Sequence, residues 1–202
     1  MYDSNDTYKI VLIGDSNVGK TCILWRAINN VFKNRETTIA TIHCEMKKKI
    51  NNTTVNFKIF DTAGMEKYRS INKNFYRDAH AIIIVYSFDD IYSLVNVQNW
   101  YNEALEGTNQ NNTLFYLVAN KFDLYYGSNK SNVISIENGN ENANKLNMKF
   151  ICTSAKTGQN IDYLFDSIAN DVYDKFHLFS YETTYNDTFD IANENHSKNC
   201  FC

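Results

Sequence analysis

A chain of 202 residues with 44% hydrophobic and 21% charged residues is long enough for one domain around a sizeable core, and a net charge of −3 argues against a body built to track a nucleic-acid backbone. No run of about 18 apolar residues occurs and the first ten residues are polar with two acids, which disfavours a membrane span and a signal peptide. Five cysteines (Cys22, Cys44, Cys152, Cys200, Cys202) without C-x-x-C spacing disfavour a disulfide framework or structural zinc, and the first three are expected in the core.

In chain order, residues 8–13 (YKIVLI) predict a strand running into a turn at Gly14, followed by an apolar-periodic helix over 20–31. Residues 41–50 and 54–60 are strand-like runs separated by a turn at Asn51-Asn52-Thr53, a predicted hairpin. The run 81–88 (AIIIVYSF) reads as a strand buried on both faces, and 113–120 (TLFYLVAN) and 149–154 (KFICTS) read alike. Helix-like segments fall at 66–76, 91–106, 138–147 and 160–177. Such alternation implies right-handed crossovers, a mostly parallel sheet, and ligands at the carboxyl ends of its strands. Residues 178–202 lack apolar period and set Glu182, Asp187, Asp190 and Glu194 against Lys198, so a flexible tail is expected after a domain over 8–177.

Directly after the first strand, Gly14-Asp15-Ser16-Asn17-Val18-Gly19-Lys20-Thr21 matches G-x-x-x-x-G-K-[ST] in the strand-to-helix context that motif needs. Glycines let the loop wrap closely, so successive N–H groups and a helix amino end face phosphate oxygens. Lys20 adds a cation for the terminal phosphates, and the Thr21 hydroxyl suits a hard Mg²⁺ ion. After the strand ending at Phe60 comes Asp61-Thr62-Ala63-Gly64, where a carboxylate can hold the metal through water and the Gly64 amide can meet a terminal phosphate.

The strand 113–119 delivers Asn120-Lys121-Phe122-Asp123. The Asp123 carboxylate, an acceptor only, matches the N1–H and amino donors of guanine, a pair that adenine lacks. Ser154-Ala155-Lys156 follows the last strand; there the Ala155 amide can read the guanine carbonyl while the Lys121 and Lys156 stems flank the ring. The Lys47-Lys48-Lys49 run in the second strand reads as a solvated strand face or edge guard.

These residues resemble the Rab family within the Ras superfamily of small GTPases over about 8–177 and the tail: GDSNVGKT, DTAG, NKFD and SAK match its nucleotide motifs, and FYRDAH and Cys200-Phe201-Cys202 are especially Rab-like. The resemblance implies a three-layer α/β P-loop fold, with a mostly parallel six-stranded sheet and one antiparallel hairpin strand. It also implies a monomeric GTP/GDP switch in vesicle traffic that uses Mg²⁺ and engages exchange factors, GTPase-activating proteins, effectors and a prenyl-dependent chaperone of the GDI type, but not nucleic acid. The nucleotide would meet residues 15–22, namely Asp15, Ser16, Asn17, Val18, Gly19, Lys20, Thr21 and Cys22, then Phe32, Thr38, Asp61, Gly64, Asn120, Lys121, Asp123, Ser154, Ala155 and Lys156. By the same resemblance Thr38 joins Thr21 on the metal, Phe32 packs edge-on against the base, and Gly64 to Ile71 form a second switch. Lys20, Thr38 and Gly64 would stabilise phosphoryl transfer.

The chain departs from the family at several points. Met65 stands where a Gln orients the attacking water, and a thioether cannot donate and accept in that way, so slow intrinsic hydrolysis is expected. One residue is missing between Lys20 and Thr38, while Ala40, His43 and Phe60 replace the usual Gly, Phe and Trp. Cys200 and Cys202 resemble a doubly prenylated end, and two lipids suit a tail without a basic patch, holding the protein reversibly on the cytosolic face of intracellular membranes.

Overall fold

The computed structural model describes residues 7–32, 42–50, 53–62, 73–108, 112–126 and 133–176. Six strands form one sheet: β1 (Thr7–Ile13), β2 (Ile42–Ile50), β3 (Thr53–Asp61), β4 (Ala81–Ser87), β5 (Leu114–Asn120) and β6 (Lys149–Cys152). Their order is β2-β3-β1-β4-β5-β6, and only the β2–β3 pair is antiparallel. The helices are α1 (Lys20–Asn29), the single turn α2 (Lys73–Tyr76), α3 (Ile91–Val95), α4 (Val97–Gly107), α5 (Ile136–Lys145) and α6 over 161–176.

Side-chain alternation along β1 divides the core in two. Tyr8, Ile10 and Leu12 share one face with Val55, Phe57 and Ile59, under Ile23 and Leu24 of α1 and Phe165, Ile168 and Val172 of α6. Val11 and Ile13 join Ile82 and Ile84 on the other face, under Val97, Trp100 and Ala104 of α4 and Ala143 of α5. Each fully buried Ile or Leu stabilises the sandwich by about 1.5–3 kcal/mol, which is why the continuous apolar runs become central strands. β4 is buried along its whole length, as its sequence requires.

Three expectations are corrected. The helix expected over 91–106 is two: α3, capped by the Asp90 carboxylate on the Tyr92 and Ser93 amides, and α4, with Asn96 at the join. The helix expected over 138–147 begins at Ile136 because the Ser135 hydroxyl accepts from the Asn138 amide. Cys22, Cys44 and Cys152 are half-buried at the core's margin instead of within it. Burial pushes the Cys44 and Cys152 thiols up to about 11, with Asp61 adding to the effect at Cys44, so neither is a thiolate nucleophile near neutral pH.

One polar group stands out in the second core. The Tyr86 hydroxyl is buried without a hydrogen-bond partner among the described residues, and burial pushes its ionisation well above the ordinary range. No helix among the described residues is long and apolar enough to cross a membrane.

Candidate functional site

Parallel strands end at one edge of the sheet, and three of those ends, β1, β5 and β6, deliver loops that meet. The loop after β1 wraps through three positive-φ residues, Gly14 (136°), Asn17 (62°) and Gly19 (95°). Only glycine suits two of them. A Cβ at Gly14 would lie 2.1 Å from the Val85 carbonyl oxygen, and one at Gly19 would lie 2.3 Å from the Asn120 side-chain nitrogen. Asn17 is one of the few residue types that tolerate the left-handed region.

Lys20 is 3% exposed and bends back over the loop, donating to the Gly14 and Asp15 carbonyls at 2.8 Å each. The Thr21 hydroxyl donates to Asp61 at the end of β3, and both residues are buried. Thr62 continues the strand end by donating its hydroxyl to the Leu12 carbonyl at 2.8 Å. Ser16 and Asn17 are exposed on the loop's outer turn, Val18 is fully buried, and Cys22 lies half-buried on α1. Phe32 packs against the β1–α1–α6 core.

Asn120 joins this loop to the two others. Its Nδ2 donates to the Val18 carbonyl at 2.8 Å; its Oδ1 accepts from the Ala155 amide at 3.2 Å and from the Thr153 hydroxyl at 3.4 Å. Asp123, one side of whose carboxylate accepts from the Ser154 hydroxyl at 2.6 Å, lies 3.6 Å from the Lys156 ammonium. The Lys121 backbone is left-handed (φ 64°), and its ammonium reaches both Asp89 oxygens at 3.1 Å. Burial alone would raise the Asp89 carboxyl, but hydrogen bonds from Ser87 and Lys121 and the ammonium's charge outweigh it and hold the group below the ordinary carboxylate range.

Four further residues hold the site and went unnoticed in the sequence. Asn96 and the Trp100 indole N–H donate to the two Asp15 oxygens at 2.6 and 2.7 Å, tying the α3–α4 join to the loop after β1. Arg26 donates from α1 to the Ala155 and Lys156 carbonyls at 2.8 and 2.6 Å, and Asp89 holds Lys121. No spacing rule points to them, because each acts on a partner between 32 and 130 residues away. Thr38, Gly64, Met65, Cys200 and Cys202 lie outside the described residues.

Chemically, buried hard oxygens at Thr21 and Asp61 stand beside one buried ammonium, under a loop of tightly wound backbone. A second, acceptor-only carboxylate is fixed at the far side by a hydroxyl. That combination fits an elongated ligand with an anionic, metal-bound end and a donor-bearing end.

Comparison with known proteins places the chain in a family. The Ras family model matches residues 9–174. The chain is similar to Ras-related protein Rab-26 of Mus musculus (36% identical over 168 residues, 82% of this chain and 62% of the relative). It is also similar to Ras-related protein RIC1 of Oryza sativa subsp. japonica (37% over 169 residues, 82% and 80%). Ras-related protein RABD1 of Arabidopsis thaliana matches at 36% over 171 residues, 83% and 80%. The aligned chain thus spans less than two thirds of the Rab-26 sequence.

Proposed function

We propose, for a chain that belongs to the Rab family of the Ras superfamily, a GTP/GDP-operated switch in vesicle traffic that binds its nucleotide with Mg²⁺ and hydrolyses GTP slowly. The observation that carries this reading is the Asn120 amide, which links the Lys20–Thr21 loop to the Asp123–Ser154 pair as one hydrogen-bonded unit. In it, Lys20 turns its ammonium to the outer phosphates and the Asp123 carboxylate accepts from the guanine N1–H and amino group, while the Ala155 amide, which donates to Asn120 at 3.2 Å, would share its one hydrogen with the guanine carbonyl. Thr21 and Thr38 would hold Mg²⁺ with Asp61 acting through water, and the buried Thr21–Asp61 oxygen pair suits that hard ion. Held by these residues, that ion would supply neutralisation of the phosphates' negative charge.

Thr38 and Gly64 complete the phosphate contacts through their amides, and no general base is assigned. Met65 in the water-orienting position favours a second reading, a GTP-binding interaction module with negligible hydrolysis of its own. In either reading exchange factors, GTPase-activating proteins, effectors and a GDI-type chaperone are the partners. Lipid on Cys200 and Cys202 provides reversible attachment to the cytosolic face of intracellular membranes.

Purified protein is expected to carry guanine nucleotide, read by chromatography after denaturation. Asp123→Asn is expected to weaken GTP binding by about 10²-fold or more, since two hydrogen bonds to a charged group are lost or inverted. Unchanged GTP affinity, or equal competition by ATP, refutes the base assignment. Single-turnover phosphate release with and without cytosolic extract separates the two readings: slow release without extract, accelerated by it, supports the slow enzyme, and release in neither rejects the enzyme reading and supports the module.

A further inference from the structure

Three neighbouring elements fix the loop after β1. Gly14 lies so close to β4 that no Cβ fits beside the Val85 carbonyl, and Val18 is held through its own carbonyl by Asn120 at the end of β5. The third hold lies between them and comes from α4. Asn96 Nδ2 donates to one Asp15 carboxylate oxygen at 2.6 Å, and the Trp100 indole N–H donates to the other at 2.7 Å.

Helix geometry makes the two donors converge. Asn96 takes right-handed helical angles (φ −72°, ψ −11°) where α3 gives way to α4, and its carbonyl accepts from the Trp100 amide at 3.1 Å. The two side chains therefore stand four residues apart on one helix face. Trp100 is 4% exposed and packs in the second core, so its indole N–H is fixed by the ring's surroundings. A carboxylate that accepts on both oxygens uses the stronger class of hydrogen bond, and its position follows that of α4.

With both side-chain oxygens turned to α4, Asp15 offers a ligand its backbone. Its carbonyl is one of the two that hold the Lys20 ammonium, each at 2.8 Å. We propose that Asp15, Asn96 and Trp100 are positioning residues for the nucleotide's outer phosphates: α4, acting through the Asp15 carboxylate, sets the Asp15 peptide and with it the Lys20 ammonium where those phosphates arrive. The proposal rests on the switch reading and adds to it a control on nucleotide release, seated at Asn96 and Trp100, outside every nucleotide motif of the sequence.

The test measures release of fluorescently labelled GDP from the full chain with Mg²⁺ present, and affinities for GDP and GMP by competition. N96D sets two carboxylates against each other and is expected to speed GDP release by about tenfold or more. D15N/N96D restores the match, because the amide introduced at position 15 donates to the carboxylate introduced at position 96 while its oxygen still accepts from the Trp100 indole. Its release is expected to return to within about threefold of the parent's. W100F keeps a ring in the core and removes the N–H, so release is expected to quicken by about threefold or more; this variant decides the matter if N96D does not fold. GMP lacks the outer phosphates that Lys20 would meet, so N96D is expected to weaken GMP binding by a factor about threefold or more smaller than for GDP.

Release at the parental rate from N96D and W100F, or no recovery in D15N/N96D, overturns the proposal. Equal losses for GMP and GDP overturn it as well, since they mark a general loosening of the fold. Nucleotide content of the parent is read on the same preparations. A parent without guanine nucleotide sinks the switch reading itself, whereas a nucleotide-loaded parent whose variants behave like it sinks the positioning role alone.

Discussion

Asn120→Ala is expected to strip the purified chain of its nucleotide and to lower its melting temperature together. Asn120 is 2% exposed, and its one amide serves the Val18 carbonyl, the Ala155 amide and the Thr153 hydroxyl. Alanine leaves a buried carbonyl and a buried N–H without partners, at about 1–3 kcal/mol each, and opens a small cavity besides. The two groups alone amount to roughly 2–6 kcal/mol, a large fraction of a domain's usual stability. It also falls on the alignment of the phosphate loop with the base loop, so nucleotide affinity is expected to drop by about 10²-fold or more. Asn120→Asp is no rescue, because it keeps an acceptor, removes the donor to Val18 and buries a charge. Nucleotide retained after gel filtration and a calorimetric melting curve measure the two effects. Full retention by Asn120→Ala would falsify the bridging role.

Gly139→Ala is expected to destabilise the fold by about 3 kcal/mol or more while leaving nucleotide affinity nearly intact in the protein that stays folded. In an exposed helix the same exchange stabilises by up to about 1 kcal/mol. Here the sign reverses. Gly139 is buried in α5, and a Cβ would lie 2.2 Å from the Tyr86 hydroxyl oxygen and 2.6 and 2.8 Å from two Phe150 ring carbons. Its backbone needs no unusual φ; the missing methyl is what lets α5 close on β4 and β6. Because the Tyr86 hydroxyl has no hydrogen-bond partner among the described residues, Tyr86→Phe removes one of the clashing atoms at little cost. The double variant G139A/Y86F is therefore expected to regain part of the loss, measured by denaturant midpoint. Equal stability of Gly139→Ala and the parent would show that α5 can shift without penalty.

The strands were legible because β1, β4 and β5 are continuous apolar runs, which admit few alternatives once helices must cover both faces. The two halves of the candidate site were legible because their residues lie in short contiguous motifs at strand ends. What the sequence hid was pairing at a distance. Nothing in NVQNW announces that Asn96 and Trp100 reach Asp15, and the same join divides an apolar-periodic stretch into α3 and α4. The start of α5 was hidden for another reason: its ten residues contain four Asn and few apolar residues, so periodicity is faint, and only the Ser135 cap marks the entry. Half-burial of Cys22, Cys44 and Cys152 follows from their places at the margins of the two clusters, which no residue propensity specifies.

One amide spanning both ends of the site has a mechanical consequence. A lever pressed against the base side slackens the grip on the phosphates, and the reverse holds equally, since Val18 and Ala155 answer to the same side chain. Ejection of the ligand would then be all-or-none, and a regulator would need purchase at only one end to empty the whole pocket.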